Sequence, residues 1–411
     1  MLGKTTDEGT RCATAVAMAT LSITTLAELA HPLAAQEVIE LPAEDRPLDA
    51  DFEDIYRVGS LDGDGWDTFG RVAGVGFDGA GNLYILDTEA VRISVVDLQA
   101  NLVRQFIREG QGPGEFGSDT APVLEFAVMG DGRVIVYDLG QMGFTLFDAD
   151  GQFERMARFP GAQMSPAMIG GIQAFPGMDR VLATSEVRYL RMTAPGPDDE
   201  PSESSFRHVL SYDLSGDEVR IDSVAAGWRP PGDAEGFRPV LRAGVLPSGA
   251  FVYTDSSTYA IKSAVPGGLV TRVLTRPFQP RPVTGRIRAD EIERRLEALA
   301  PVRGGNSFQQ QMREMRRGQI EAMEFFDEIP VVVDLTTSWE GTIWVLHRGG
   351  GGAEGNRIDL ISSDGRYLGT FPPGSTAMPS AFGPDGLVAF VETDDLDVPY
   401  VAVRRLPEGM R

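Results

Sequence analysis

The stretch that decides the fold is Val72–Asp87, which reads VAGVGFDGAGNLYILD. Two apolar runs flank a turn at Asp78–Asn82 that is rich in glycine. Apolar alternation on both sides of such a turn predicts a β-hairpin. The chain continues with Arg92–Asp97, a turn at Gln99–Asn101 and Leu102–Ile107. This unit therefore predicts four consecutive antiparallel strands.

The same unit recurs along the chain. A second clear copy begins at Leu124–Val128 and ends at Phe153–Phe159, with the same order of strands and turns. Four weaker copies are in phase with it and are marked by Arg180–Ser185, Ala250–Thr254, Thr342–Leu346 and Leu387–Val391. A unit of this size that repeats at intervals predicts a radial repeat fold, with a core between each pair of units.

The two ends of the chain complete each other. The last copy supplies three strands, Ala377–Phe382, Leu387–Val391 and Tyr400–Arg404, and a fourth is present near the N-terminus as Ile55–Gly59. Pairing these ends closes a ring and removes exposed sheet edges. The sequence thus predicts an all-β protein, a six-bladed β-propeller over residues 54–406, in which an N-terminal strand completes the C-terminal blade.

One long insertion, about residues 284–328 between blades 4 and 5, has a helical pattern. Asp290 with Glu293, and Ser307 with Gln310, have capping-box spacing ahead of apolar positions. The pattern predicts a helical hairpin over the mouth of the propeller. A lid, a partner surface and packing against the rim are three roles that the sequence leaves open.

Two motifs carry a resemblance to a family. The pattern Asp78–Asp87, followed by Arg92–Asp97, resembles the NHL-type repeat, and Arg108–Phe116 is similar to a loop of bacterial six-bladed NHL-like propellers. The resemblance covers approximately residues 54–406 and is strongest in the first two blades. It implies the fold and an extracytoplasmic location more than a chemistry, because propellers host lyases, lactonases and binding proteins alike.

The charge balance limits the partners. The chain has 37 Lys and Arg against 60 Asp and Glu, a net charge of −23. Such a surface repels phosphate backbones and anionic lipid headgroups, so nucleic acid and bare membrane are not expected partners. No transmembrane segment is predicted, and we expect a monomer.

The N-terminus resembles a targeting segment. Lys4 and Arg11 precede an apolar run, and residues 1–35 are interpreted as a secretory signal peptide that directs the protein to the periplasm or outside the cell. Residues 36–53 are expected to be a linker and 407–411 a short tail. Cys12 is the single cysteine, so the mature chain would contain no disulfide and no thiol ligand.

The propeller topology predicts two unlike faces. The turns between the first and second and between the third and fourth strands of each blade lie on one face, here called the turn face. The other connections lie on the opposite face, here called the loop face. The long connections belong to the loop face, and function tends to lie on long loops held by a rigid scaffold. We therefore expect the functional site on the loop face.

Two sets of loop-face residues are candidates. The candidate ligand-binding residues are Arg71, Arg238, Arg242, His347 and Arg348. The candidate metal ligands, at the ends of the second strands, are Asp87, Asp138, Asp255 and Glu392. A ring of carboxylates suits Ca²⁺. The alternatives are that these carboxylates cap their own turns and that the arginines neutralise them.

Few catalytic constellations are available. His31, His208 and His347 are the only histidines, and the first lies in the predicted signal, which excludes a three-histidine zinc site in the mature chain. We therefore expect a binding protein rather than an enzyme, with a protein, peptide or glycan as partner and no cofactor. The alternative is an extracytoplasmic, metal-assisted hydrolase or lyase of the lactonase type, with Ca²⁺ or a similar cation at the propeller axis.

Overall fold

The computed structural model describes residues 36–63, 65–110, 112–116, 124–138, 141, 143–160, 169–187, 206–230, 234–299, 307–349 and 355–411. The predicted signal peptide lies outside these residues.

Two strands precede the first blade, and each of blades 1 to 3 has four antiparallel strands numbered outward from the axis. The leading strands are β1 (Glu37–Glu40) and β2 (Glu53–Val58). Blade 1 contains β3 (Val72–Phe77), β4 (Leu83–Asp87), β5 (Arg92–Val96) and β6 (Leu102–Phe106). A short parallel pair follows, β7 (Arg108–Glu109) and β8 (Glu115–Phe116). Blade 2 contains β9 (Leu124–Val128), β10 (Val134–Asp138), β11 (Gly143–Phe147) and β12 (Phe153–Arg158). Blade 3 contains β13 (Ile169–Ala174), β14 (Arg180–Val187), β15 (Phe206–Asp213) and β16 (Arg220–Ala226).

The second half of the ring has the same order, with the insertion between blades 4 and 5. Blade 4 contains β17 (Arg242–Val245), β18 (Phe251–Thr254), β19 (Ala260–Ala264) and β20 (Val270–Thr275). The insertion contains β21 (Arg281–Pro282), α1 (Gly285–Glu297), α2 (Ser307–Glu321) and β22 (Glu328–Ile329). Blade 5 contains β23 (Val332–Thr337), β24 (Ile343–Arg348), β25 (Asn356–Ile361) and β26 (Tyr367–Phe371). The last strands are β27 (Ala381–Phe382), β28 (Leu387–Thr393) and β29 (Pro399–Arg405).

The ring closes as predicted from the sequence. Strand β2 pairs antiparallel with β29, with Val58 opposite Val401, and completes blade 6 in the order β2-β29-β28-β27. Phe77 and Leu83 of blade 1 share a hydrophobic cluster with Val401 and Val403 of blade 6. The first and last blades therefore enclose a core in the same way as the other neighbouring blades, and the all-β six-bladed β-propeller is confirmed.

Close approach between blades explains the glycines of the inner strand of blade 1. A Cβ atom on Gly76 would lie 2.7 Å from Cγ2 of Val128 in blade 2, and one on Gly74 would lie 2.8 Å from the Phe126 ring. Because these glycines have no side chain, β3 and β9 can approach each other closely. Burial of apolar side chains between neighbouring blades is the main contribution to the stability of the fold.

Residues 36–53 were expected to be a linker, but residues 36–52 form a packed segment here called the strap, and Glu53 begins β2. Strand β1 adds in parallel to β20, the outer strand of blade 4, and Leu41 is buried between blades 4 and 5. The strap then bridges to blade 5 at Thr370, and Phe52 contacts the rings of Phe371 and Phe390 between blades 5 and 6. The sequence missed the strap because its few apolar residues bury against three different blades.

The insertion is helical, but its first helix begins earlier than predicted. Helix α1 begins at Gly285 after the N-cap Thr284, whose hydroxyl accepts from the Ile287 N–H at 3.3 Å, so Asp290 lies inside the helix. None of the side chains of α1 is buried. Neither α1 nor α2, the two α-helices of the described chain, has the length and hydropathy needed to cross a membrane.

Candidate functional site

The predicted metal ligands Asp87 and Asp255 accept hydrogen bonds from nearby protein groups. The Asp87 carboxylate is buried and accepts from the backbone N–H groups of Gly70 and Arg71 at 3.2 and 3.1 Å. The buried Asp255 carboxylate accepts from Lys262 Nζ at 2.8 and 2.9 Å and from the Trp228 N–H at 2.8 Å. Asp87 also accepts from the N–H groups of Glu89 and Ala90 in its own turn, as the turn-capping alternative expected, whereas Asp255 holds Trp228 in the connection between blades 3 and 4.

The other two predicted ligands lie in blades 2 and 6. Asp138 is buried at the end of β10. Glu392 accepts from the Tyr400 hydroxyl at 2.7 Å and pairs with Arg404 at 3.0 Å. Among the described residues, no group of three or more His, Cys, Asp or Glu side chains is placed to hold a metal ion.

Arg71, Arg238 and Arg242 lie at or before the starts of inner strands. Arg71 is exposed, and Arg238 is half-buried in the connection before β17. Arg242 pairs with Asp334 of blade 5 through a 2.9 Å contact, and both side chains are nearly half exposed. The pair joins the inner strands β17 and β23, and Asp334 is not one of the candidate metal ligands that the arginines were expected to neutralise.

His347 is buried, and Arg348 is partly buried. The His347 side chain is 0% exposed, stacks on Phe278, and places Nε2 3.1 Å from Oδ1 of Asp359. Arg348 donates to the Pro330 carbonyl at 2.7 Å, and burial together with the Arg281 charge lowers the pKa of its guanidinium. A ligand on the surface of the protein cannot contact His347 without displacing the residues around it.

A rigidly held tryptophan lies on the loop face. The Trp228 N–H donates to Asp255, and its carbonyl accepts from the buried Arg207 guanidinium at 2.8 Å. Its ring packs edge-on against Phe326 of the insertion, yet the residue remains 40% exposed. Beside it, Phe237 packs against Phe325. The result is an aromatic patch, Trp228, Phe237, Phe325 and Phe326, on a fixed backbone.

A cavity of about 660 Å³ lies on the propeller axis and is lined by the inner strands of all six blades. Representative lining residues, one from each blade in order, are Val75, Val128, Ile172, Val245, Thr336 and Ala381. In blades 3 to 5 the lining comes from the ends of the inner strands that are nearest the turn face. The turns that follow these strands also contribute residues, such as Gly177 and Pro247. This volume falls within the usual range for small-molecule sites, about 300–1,000 Å³.

Glu125 is the one ionisable side chain among the described residues that line this cavity. Burial raises the pKa of its carboxyl group. The polar neighbours Gln173 and Thr337 are already engaged, since Gln173 bonds to Ala243 and Val245 of blade 4 and Thr337 donates to the Val245 carbonyl. Glu125 is thus the lining group whose charge is least compensated.

Trp339 lies where the cavity reaches the turn face. It belongs to the turn after β23 in blade 5, yet its Cη2 atom lies 3.8 Å from the position that a Cβ would take on Gly130 of blade 2. Blades 2 and 5 are opposite in a six-bladed ring, so the indole extends across the axis. It is 36% exposed, which makes it a partial cover rather than a buried core residue.

The sequence pattern predicted a site on the loop face, and neither Glu125 nor Trp339 was among the candidate residues. None of the predicted ligand-binding residues is among those that line the axial cavity. Glu125 did leave a signal, because it is a charged residue within the inner strand LEFAV. The position of Trp339 had no such signal, because the contact between opposite blades depends on the diameter of the ring.

Comparison with known proteins shows the fold. A member of the DUF4221 family from Bacteroides vulgatus is 10% identical, with a TM-score of 0.50 over 88% of this chain and 99% of the other. A protein from Bacteroides fragilis named as exported is 14% identical, with a TM-score of 0.49 over 90% of this chain and 100% of the other. A gluconolactonase from Xanthomonas campestris is 14% identical, with a TM-score of 0.40 over 89% and 99%. At these identities the likeness concerns architecture alone.

No protein-family model matches the chain, and no curated protein matches it. The resemblance to NHL-type repeats therefore stays a prediction from the sequence motifs.

Proposed function

We propose that the protein is an exported, monomeric, NHL-like propeller that binds a protein, peptide or glycan on its loop face. The observation that carries this proposal is Trp228, whose backbone is fixed on both sides by buried polar groups while its ring stays exposed. Rigid aromatic anchors lose little conformational entropy on binding and dominate many interfaces.

The surroundings of Trp228 support recognition rather than catalysis. Phe237 and Phe325 are partly exposed and extend the apolar surface, and Phe326 is a buried support for the Trp228 ring. These residues come from two separate connections joined by backbone bonds between Gly236 and the segment after α2. The lactonase-like alternative needs carboxylates that are free to bind a metal ion. Asp87, Asp255 and Glu392 are instead bonded to backbone N–H groups, lysine, arginine or tyrosine. The loop face therefore offers a preformed contact surface.

A binding selection with matched variants tests the proposal. Peptide-display libraries and glycan arrays are screened with the wild-type protein, and each selected binder is measured against Trp228→Ala and Leu396→Ala. Leu396 is 72% exposed on the loop-face turn of blade 6 and serves as the control. We expect Trp228→Ala to weaken binding by at least about tenfold and Leu396→Ala to leave it unchanged. A full screen that yields no binder dependent on Trp228 overturns the proposal.

Export has its own test. In a Gram-negative expression host, the processed protein is expected outside the cytoplasm with Gln36 as its first residue. Retention in the cytoplasm with the first 35 residues intact contradicts it.

A further inference from the structure

The axial cavity contains one ionisable side chain among its described lining residues, Glu125, and no basic side chain. The Glu125 side chain forms no hydrogen bond or ion pair with the described residues, and burial alone accounts for the raised pKa of its carboxyl group. Arg242, at the start of the inner strand of blade 4, is already paired with Asp334. A desolvated carboxylate that lacks a partner is unfavourable in the folded state, and a ligand cation at that position would remove the penalty.

The rest of the wall is unsuited to a bare metal ion. Calcium takes six to eight oxygen ligands, whereas the described lining offers one carboxylate, and the amide of Gln173 is engaged with blade 4. Apolar groups make up a little more than half of the lining surface and include Val75, Val128 and Ile172. A cation with an apolar body fits this combination of groups better than a hydrated ion.

The turn-face end adds an aromatic surface. Trp339 extends across the axis and is partly exposed, so a cationic or apolar group in the cavity can contact the indole ring. The strongly acidic surface of the molecule also raises the local concentration of cations.

We propose that the axial cavity is a second binding site, distinct from the loop face, for an organic cation. The ammonium group pairs with the Glu125 carboxylate, and the apolar body lies along Val128 and Ile172 toward Trp339. The ligand class is a primary or quaternary amine of small-molecule size, either free or presented as a side chain of a short peptide.

A charge-matched ligand series tests this site. The probes are phenethylamine, benzyltrimethylammonium and the dipeptide Phe-Lys, with 2-phenylethanol and 3-phenylpropionate as the neutral and anionic analogues of phenethylamine. Calorimetric titration at low salt is run on the wild type, on Glu125→Gln, and on Glu44→Gln, a control that removes one exposed carboxylate from the strap. We expect at least one cation to bind, with affinity at least about tenfold lower in Glu125→Gln and unchanged in Glu44→Gln.

The pH dependence provides a second readout. A proton and the cation compete for Glu125, so the affinity of the wild type is expected to fall as pH falls through the pKa of that carboxyl group. The affinity of Glu125→Gln should not follow this change. A Trp339→Phe variant should lose any change in fluorescence that accompanies binding.

Three results overturn the proposal: no binding of any of the three cations to the wild type, equal affinity in Glu125→Gln, or equal affinity for phenethylamine and 2-phenylethanol. Glu125→Gln is expected to fold, because it removes a desolvated charge. Its stability should exceed that of the wild type at neutral pH and match it in acid, where Glu125 is protonated.

Discussion

Replacing Arg276 with leucine will remove the polar centre that joins the strap to blades 4 and 5. The guanidinium is 0% exposed and donates to both oxygens of the buried Asp359 carboxylate at 2.9 Å. It also donates to the Pro42 carbonyl at 2.8 Å and to Asp45 at 3.0 Å. One side chain therefore satisfies a buried carboxylate and holds the strap.

The loss of stability follows from the Asp359 carboxylate, which would remain buried without Arg276. Removing one member of a buried ion pair costs about 3–5 kcal/mol, because the other charge is left without its partner. At roughly 2.1 cal/mol/K of unfolding entropy per residue, a domain of this length loses about 1.3 °C for each kcal/mol. Arg276→Leu should therefore lower the melting temperature by about 4–6 °C.

The control lies on β20, the strand that ends just before Arg276. Arg272 of β20 contacts Glu37 of the strap at 2.8 Å, but both side chains are partly exposed. Exposed pairs contribute about 0–1 kcal/mol, so Arg272→Leu should have little effect. Urea unfolding followed by circular dichroism, together with calorimetry, measures both variants. Equal losses for Arg272→Leu and Arg276→Leu would refute the reasoning.

The pH dependence of the loss is a further check. Burial acts to raise the pKa of Asp359, but His347, Arg276 and Thr370 together hold it below its ordinary value. In the wild type this contribution is present above the ordinary carboxyl pKa and is lost as pH falls through the lower folded value. Without Arg276 the carboxyl group protonates at a higher pH. The stability gap between the two proteins should therefore narrow as the solution is acidified.

Three further predictions concern the ring, its packing and metal. Val58→Asp places an unpaired charge in the closing sheet, where Val58 is 5% exposed, and should lower stability by about 3 kcal/mol or more in urea unfolding; a loss below about 1 kcal/mol would contradict the closure. Gly244→Ala puts a Cβ 2.6 Å from Thr337 and should cost about 1–3 kcal/mol in the same assay, whereas Gly409→Ala, which meets no atom within 4 Å, should change stability by less than about 0.5 kcal/mol. Excess CaCl₂ in place of EDTA should move the melting temperature by less than about 1 °C, and a rise of several degrees would favour the metal-assisted alternative.

The architecture could be predicted from the sequence because its signals are local. Asp78–Asn82 specifies a tight turn, and the strands on either side of it alternate in polarity. Ile55–Gly59 has the pattern of a strand, and the last blade is one strand short. Each of these features lies within a few residues. Helix α1 shows the limit of such local signals. The Thr284 hydroxyl caps the start of the helix, whereas Asp290 and Glu293, which have capping-box spacing, lie inside it.

The candidate sites depended on contacts between distant residues. His347 resembled an exposed loop-face residue because it ends a second strand, but Phe278 and Asp359 enclose it. The aromatic patch joins residues about one hundred positions apart, and the axial cavity draws residues from every blade. Sequence spacing indicates which face a residue occupies, but not which neighbours cover it.

The pairing of β2 with β29 has a consequence for synthesis of the chain. Residues 53–58 emerge from the ribosome among the first of the propeller, yet their partner at residues 399–405 emerges among the last. Until then β2 has no partner in its sheet, and unpaired strand edges promote association between chains. A product that stops short of β29 would keep that edge permanently, so premature termination should yield aggregates even when five blades are complete.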